Sequence, residues 1–247
     1  MLGCSKCLEG FPRSAHGGLK GDFSGFNKHE WPSRTAEYHR MHAITVRDAQ
    51  TDQHRKAYEA QSGARWSEFF RLSYFDPIKD HAIDPMHLLY LGIAKKMTKH
   101  YYTSGLLNKN DVKNIQQIAD RIRVPHTVGR LPRKIASGYC SFTADQWRNW
   151  TLIYSSVALK GILPAEDFQI WLLFVRVVFL LTRKYLRKTD LQLADVLLLR
   201  FATQVERRYG KDFCTPNLHM ACHLKDCIED FSTIYAFWCF SFERYAI

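Results

Sequence analysis

The fold of this chain depends on two short runs of sequence, Cys-Ser-Lys-Cys at residues 4–7 and His-Met-Ala-Cys-His at residues 219–223. A Cys-x2-Cys turn offers two thiolates to one ion. Two histidines at positions i and i+4 of a helix lie on one face, one turn apart, and can complete a tetrahedral Zn²⁺ shell. We therefore predict a structural zinc site that joins these distant runs. Its predicted ligands are Cys4, Cys7, His219 and His223.

Ordinary explanations exist for the same residues. The cysteines can be buried core thiols, and Cys222, within the second run, is a rival ligand. The second run is not the motif of a zinc protease, because no glutamate follows its first histidine to act as general base. At this point the zinc site and a set of unrelated core residues are both open interpretations.

Composition limits the class of protein. The 247 residues are 46% hydrophobic and 14% aromatic, which provides a core for one or two domains and excludes a disordered chain. The net charge of +11 indicates a polyanionic partner, nucleic acid before an acidic membrane, although solvated lysines explain it equally well. Seven cysteines, an odd number, favour metal-bound or buried thiols over disulfides. The most apolar run, residues 170–182, contains Arg176 and is too short to span a bilayer, so we expect no membrane partner.

Helical patterns dominate the middle of the sequence. Asp84-Pro85 combines a capping aspartate with proline at the first helical position, and Thr143-x2-Gln146 has the pattern of a capping box. Residues 164–187 are predicted to form a long helix, and its part Ile170–Leu181 is apolar on all sides, so we expect that part to be among the most buried elements. Only residues 43–47 and 233–242 compete as strands. We therefore predict a mostly α fold.

The final helix is predicted to start near Pro216, carry both histidines and run on to Phe242-Glu243-Arg244. Aromatic residues crowd the second half of this stretch, and such clusters are more often protein core than a platform for nucleobases. Trp147 and Trp150 are expected to face the core for the same reason.

Residues 124–139 contain two prolines, two glycines and a cluster of basic side chains. This composition predicts a basic loop between helices. A loop of this kind can follow a phosphate backbone, so we expect it to make non-specific, salt-sensitive contacts with DNA. The cations that we assign to these contacts are Arg130, Arg133 and Lys134.

Several further motifs resemble those of CACTA-type (En/Spm-like) DDE transposases, and the resemblance extends over essentially the whole chain from Cys4. The Cys-x2-Cys and His-x3-His pairs followed by a glutamate also resemble the wider class that includes Transib transposases and the antigen-receptor recombinase. The residues that carry the resemblance are Asp76-Pro77, Ile83–His87, Gly92–Lys95, Thr143–Trp150 with Tyr154-Ser155, Asn217–His219 and Phe240–Arg244.

The resemblance implies an RNase H-like core in which two aspartates and one glutamate hold two Mg²⁺ or Mn²⁺ ions and direct an in-line attack on a DNA phosphodiester. It matches Glu243 to the third carboxylate and Asp84-x2-His87 to a family motif near the active site, so the expected catalytic residues are Glu243, His87 and Asp84. It also matches the four predicted zinc ligands to the zinc site of the family. The implied partners are DNA and, for an oligomeric transposase, a second copy of the chain, and the implied location is the nucleus.

One departure from the family affects the expected activity. The two catalytic aspartates of the family lie upstream of the Cys-x2-Cys pair, so we expect this chain to be a transposase segment that lacks most of the RNase H-like sheet and does not cleave DNA alone. The expected division is a zinc-knuckle segment (1–30), a helical insertion domain (31–216) and a C-terminal helix with the histidine pair and Glu243 (217–247).

Two alternatives remain at the level of the sequence. The chain can be a non-enzymatic helical zinc module that binds DNA or a partner protein, or a remnant that does not fold stably without the missing sheet. Individual residues also have ordinary explanations. Asp84 can simply cap a helix, and Glu243 can form an ion pair with Arg244 or Arg208.

Overall fold

The computed structural model describes residues 3–12, 21–126, 128, 134–135 and 139–243, with Glu243 described by its backbone alone. These residues form helices and loops and contain no β-strand; Cys7 and Ser33 form an isolated antiparallel bridge. The predicted mostly α fold class is therefore confirmed for the described part of the chain. No helix there combines the length and the apolar character that crossing a bilayer requires.

The described α-helices are numbered here in chain order. Two π-helical segments, Met86–Ala94 and Trp150–Tyr154, lead directly into α3 and α6. The α-helices are α1 (Ala36–Arg47), α2 (Asp52–Ser62), α3 (Lys95–Thr103), α4 (Lys109–Arg121), α5 (Ala144–Asn149), α6 (Ser155–Ala158), α7 (Ala165–Leu181), α8 (Lys188–Tyr209), α9 (Pro216–Ala221), α10 (Leu224–Phe231) and α11 (Phe240–Glu243). Short 3₁₀ helices cover Lys28–Glu30, Glu68–Arg71, Tyr139–Ser141, Lys211–Phe213 and Ile234–Ala236.

The chain divides into two compact units, and each combines two stretches of sequence. Unit one comprises residues 1–83 and 202–232, and unit two comprises residues 84–201 and 233–247. The chain passes from unit two to unit one within α8. The boundaries of these units differ from those of the three predicted segments. The predicted segments were defined by function, and that assignment stays a prediction.

In unit one, a buried arginine connects the Cys-x2-Cys turn to α1 and α2. Helices α1 and α2 pack against each other, and Gly63, in the left-handed region with φ 65°, ends α2. The Arg34 guanidinium donates to the carbonyl of Cys7 at 3.3 Å and to the carbonyl of Ser62 at 3.2 Å. A buried cation is costly unless it is hydrogen-bonded, so these contacts fix the first Cys pair against the ends of α1 and α2.

Unit two has an aromatic core. Trp147 and Trp150 are buried, as predicted. The Trp171 indole N–H donates to the Ser155 hydroxyl at 2.8 Å, and the Phe174 ring lies between those of Trp171 and Phe201, at 5.5 and 5.2 Å. These contacts anchor α7 in the aromatic core of unit two.

One prediction about helices is confirmed and one is wrong. Most of the run Ile170–Leu181 in α7 is buried, as predicted, although Phe179 is 60% exposed. The final helix is not continuous: α9 ends at Ala221, α10 ends before Ser232, and Ser232 has φ 77°. A left-handed residue cannot continue an α-helix, so the chain turns there. Neither strand alternative is present, because residues 43–47 lie in α1 and residues 233–242 form a 3₁₀ turn, a loop and most of α11.

Replacing Phe174 by alanine should lower the free energy of unfolding by about 3–5 kcal/mol, because it leaves a cavity between two fixed aromatic rings. Urea denaturation followed by circular dichroism measures this change. The matched control is Phe179→Ala on the same helix, which should change the free energy of unfolding by no more than about 0.5 kcal/mol. Equal effects of the two substitutions would contradict the assigned position of α7.

Candidate metal centre

Unit one contains a buried group of two cysteines and two histidines. Each of the four offers one ligand atom, and these atoms all lie within 4.8 Å of one another. The Cys7 Sγ and the His219 Nε2 are 3.3 Å apart. None of the four residues is more than 4% exposed. The structure thus brings together the predicted ligands Cys4, Cys7, His219 and His223.

The Cys-x2-Cys turn is fixed by the backbone around it. The Lys6 amide donates to the Cys4 Sγ at 3.3 Å, a contact that stabilises a thiolate. The Leu8 amide donates to the Pro32 carbonyl at 2.8 Å, next to the bridge between Cys7 and Ser33. Both sulfur atoms therefore have defined positions before any ion binds.

The two histidines do not lie on one helix, which corrects the prediction. His219 belongs to α9, whereas His223 is the residue before α10 and has φ −100° and ψ 3°. The amides of Cys222 and His223 bond to carbonyls only three residues back, at His219 and Met220, so the chain tightens as α9 ends. The two imidazole rings remain neighbours, with centroids 5.2 Å apart.

The hydrogen bonds of His223 fit a metal ligand. Its Nδ1 lies 3.1 Å from the Asp226 Oδ2, and Asp226 is also paired with the Lys28 ammonium at 3.4 Å. Its Nε2 is buried and has no hydrogen-bond partner among the described residues. A proton on Nδ1 leaves a lone pair on Nε2, and a carboxylate in this position is the usual outer support of a metal-bound histidine. A buried nitrogen without a partner is costly unless a metal ion uses it.

The surroundings of the two cysteines favour a thiolate, which is the form of cysteine that binds a metal cation. A hydrogen bond from the Cys7 thiol, with further help from both histidines, lowers the pKa of Cys4 to about 2. The same bond, together with burial, raises the pKa of Cys7. The opposite directions of the two shifts favour a thiolate at Cys4 beside a thiol at Cys7. Burial lowers the pKa of His223, but the Asp226 carboxylate and the Cys4 thiolate raise it above its usual value.

Aromatic side chains close the centre to solvent. The Trp31 ring lies 4.1 Å from the His219 ring and 5.4 Å from the His223 ring, and the edge of Phe11 approaches His219 at 4.8 Å. Four protein ligands complete a tetrahedral zinc shell and leave no position for a reactive water. The arrangement therefore suits a structural metal ion and not a hydrolytic one.

Asp84 is the centre of a second group, in unit two. Its Oδ1 accepts from the Met86 amide at 3.2 Å and the Cys239 amide at 2.8 Å. Its Oδ2 accepts from the His87 amide at 3.0 Å and from the His87 Nδ1. Burial raises the pKa of Asp84, but these bonds outweigh it and hold the pKa below its usual value. Ligand atoms of Asp84, His87 and Cys239 lie within 4.8 Å of one another.

The other predicted site residues are described only in part. Glu243 ends α11, and its side chain is outside the described residues. Arg130 and Arg133 also lie outside the described residues, whereas Lys134 is exposed with φ 57°. The catalytic and DNA-binding assignments of these residues stay predictions.

Sequence reasoning missed three residues around these sites. Asp226 follows His223 by three positions on α10, and this spacing is a signal that could have been used. Trp31 and Cys239 have no signal in the sequence, because only the tertiary fold brings them to His219 and Asp84.

Comparison of the chain with protein-family models, with curated proteins and with solved structures found no match. The resemblance to CACTA-type transposases therefore rests on the motifs in the sequence.

The purified chain should contain one zinc ion per molecule by inductively coupled plasma mass spectrometry. Cys4→Ser should remove the zinc and lower the melting temperature. The binding free energy of the ion no longer stabilises the fold, and three ligand residues stay buried without it. Cys140→Ser, which changes an exposed thiol, is the matched control and should keep the metal. Asp226→Asn keeps all four ligands and should weaken zinc affinity by roughly 10–100-fold in competition with a chelating dye. A Cys4→Ser protein with unchanged zinc content would refute the site.

Asp84→Asn should lower the free energy of unfolding by about 2 kcal/mol near neutral pH, since hydrogen bonds to a carboxylate are lost. The depressed folded-state pKa means that this stabilisation is complete above the unfolded value, near 3.9, and is lost as pH falls through the folded value. The difference from wild type should therefore shrink below about pH 4. Asp230→Asn, at an exposed position, is the control for denaturation curves recorded across this range. A difference that is independent of pH would contradict the role given to the carboxylate.

Proposed function

We propose that this chain is the zinc-stabilised helical part of a CACTA-type DDE transposase, and that it binds DNA in the nucleus. The observation that carries the proposal is the meeting of the Cys-x2-Cys and His-x3-His pairs, since Cys7 and His219 are separated by 212 positions. The family resemblance implies this pairing.

The second support is the bond between Asp84 and Cys239. It joins residues 155 positions apart: Asp84 belongs to the Asp-x2-His motif that the resemblance connects with the active site, and Cys239 directly precedes the matched stretch Phe240–Arg244. Cys239 immediately precedes α11, whose last residue is Glu243. The Asp-x2-His motif therefore fixes the start of the segment that bears the proposed third carboxylate. In this proposal Mg²⁺ or Mn²⁺ supplies the Lewis acid for phosphodiester cleavage, and Glu243 is one of its ligands.

Charge supports DNA as the partner. The net charge of +11 favours a polyanion, and phosphate contacts account for most of the affinity in non-specific binding. We retain Arg130, Arg133 and Lys134 as the proposed contacts of the 124–139 loop. Zinc has a structural role in the proposal, because the closed Cys2His2 shell holds two distant stretches of unit one together.

A non-enzymatic zinc module that binds DNA is the second candidate. The observation that favours it is the state of Asp84, whose two oxygen atoms already accept four hydrogen bonds. Such a carboxylate serves as a helix cap without any catalytic role. The two candidates differ in whether Glu243 is needed for DNA cleavage.

Plasmid nicking in Mg²⁺ or Mn²⁺ separates the candidates. The chain alone should bind plasmid without nicking it, because the resemblance maps one metal-binding carboxylate onto it and a two-metal site needs several. An extended chain that includes an upstream segment with two aspartates should nick DNA, and Glu243→Gln should abolish that activity. Glu229→Gln, at an exposed position of α10, is the matched control and should retain it.

Two results would contradict this account. Nicking by the chain alone that disappears in Glu243→Gln would mean that a complete site exists among residues assigned here to structure. An extended chain that binds DNA and never nicks it would favour the non-enzymatic module.

A further inference from the structure

The loop between α7 and α8 exposes an aromatic side chain among basic ones. It has the sequence Thr-Arg-Lys-Tyr-Leu-Arg at residues 182–187. Tyr185 is 88% exposed, which is unusual for a large ring that solvent does not favour. An exposed tyrosine at the tip of a loop offers a flat apolar face to a partner at low conformational cost.

Two cations of the loop, and Lys188 at the start of α8, are available to a partner. Arg183 is paired with Asp190 at 2.7 Å, which anchors the loop to the start of α8. The side chains of Lys184, Arg187 and Lys188 are exposed and form no ion pair with any described residue. Cations left without counter-charges create a positive potential that attracts anionic ligands.

A cavity of about 500 Å³ lies beside the loop. Its walls include Phe179 on α7 and Leu152 on the π-helical segment, with Tyr185 at its edge. The exposed Phe179 of α7 lines this cavity. Leu152 and Phe179 provide apolar lining while Arg183 and Lys184 provide cationic lining, a combination that suits a planar ring attached to an anionic group.

The loop is tied to the segment that leads to Glu243. The Tyr235 hydroxyl donates a hydrogen bond to the carbonyl of Thr182, where the loop begins. Tyr235 belongs to the 3₁₀ turn Ile234–Ala236, which precedes α11 in unit two. A ligand held by the loop would therefore be positioned relative to the chain that bears the proposed carboxylate.

We infer that this surface binds single-stranded DNA, with one base stacked on Tyr185 over the cavity and its flanking phosphates on Lys184, Arg187 and Lys188. Every base has a π face, so stacking on tyrosine requires an unpaired base but no particular sequence. A duplex hides these faces within its own stack and cannot fill the cavity. The inference rests on the proposed function, because it specifies which form of DNA this surface of the proposed DNA-binding chain would take.

Fluorescence anisotropy of a labelled oligothymidylate tests the aromatic contact, with the full chain in its zinc-bound form. Tyr185→Ala should weaken binding roughly tenfold, and Tyr185→Phe, which retains the ring, should stay within about twofold of wild type. Tyr74→Ala is the matched control, since Tyr74 is 80% exposed on unit one. Duplex DNA of equal length should compete less well than unlabelled oligothymidylate.

The charges are tested through the salt dependence of binding. Replacing Lys184, Arg187 and Lys188 together with glutamine should reduce the slope of log affinity against log salt by about 2, at roughly 0.7 for each lost phosphate contact. The control makes the same change in charge on the exposed surface of α4, at Lys109, Lys113 and Arg121. It should leave the slope closer to that of wild type than the loop variant does.

The possible negative results distinguish failure of this inference from failure of the proposed DNA binding. If oligothymidylate binds and both loop variants match their controls, the inference is overturned while the proposed DNA binding stands. If no DNA binds, both fail. If the loop variants lose binding to phosphatidylserine vesicles and keep oligothymidylate binding, the surface recognises lipid and the inference is overturned.

Discussion

The meeting of two thiols and two imidazoles in unit one is the constraint on which that unit depends. Its two stretches of sequence, residues 1–83 and 202–232, must find each other across an intervening unit. The cost of closing so long a loop grows only slowly with length, but a metal ion that binds at both ends can offset it. The four ligand side chains are buried and the Nε2 of His223 has no hydrogen-bond partner among the described residues, so an ion bound there would stabilise groups that are costly to bury. Metal binding and the folding of unit one are therefore coupled in this account.

The polar residues around the metal centre support its ligands and the chain segments that carry them. Asp226 orients His223, and Lys28 compensates the charge of Asp226. On the other side, Arg34 reaches from the start of α1 to the Cys7 carbonyl. Arg34 is buried and would be costly without its hydrogen bonds, whereas the partly exposed pair of Lys28 and Asp226 supports the His223 ring, so the set favours one arrangement of the chain. The described residues of unit one form no β-strand, so this network supplies long-range order among them.

The sequence predicted the features that depend on local spacing. The capping box at Thr143 and Gln146 is present, and so is the meeting of the four ligand residues. The sequence did not predict the features that depend on tertiary contacts. The break between α9 and α10 lies in a run with no proline or glycine, and the exposure of Phe179 follows from which face of α7 meets the core. The bond between Asp84 and Cys239 could not be predicted, because spacing carries no information about contacts between residues so far apart.

Asp84 illustrates how one carboxylate limits what a site can do. A carboxylate has about four acceptor positions, and those of Asp84 are occupied by the amides of Met86, His87 and Cys239 and by the His87 ring. Binding a divalent ion would break at least one of these bonds and release either the helix start or the segment before α11. Within the proposed transposase, Asp84 therefore acts as a positioning residue. It holds His87 and the approach to Glu243 in place, and metal ligation falls to other carboxylates.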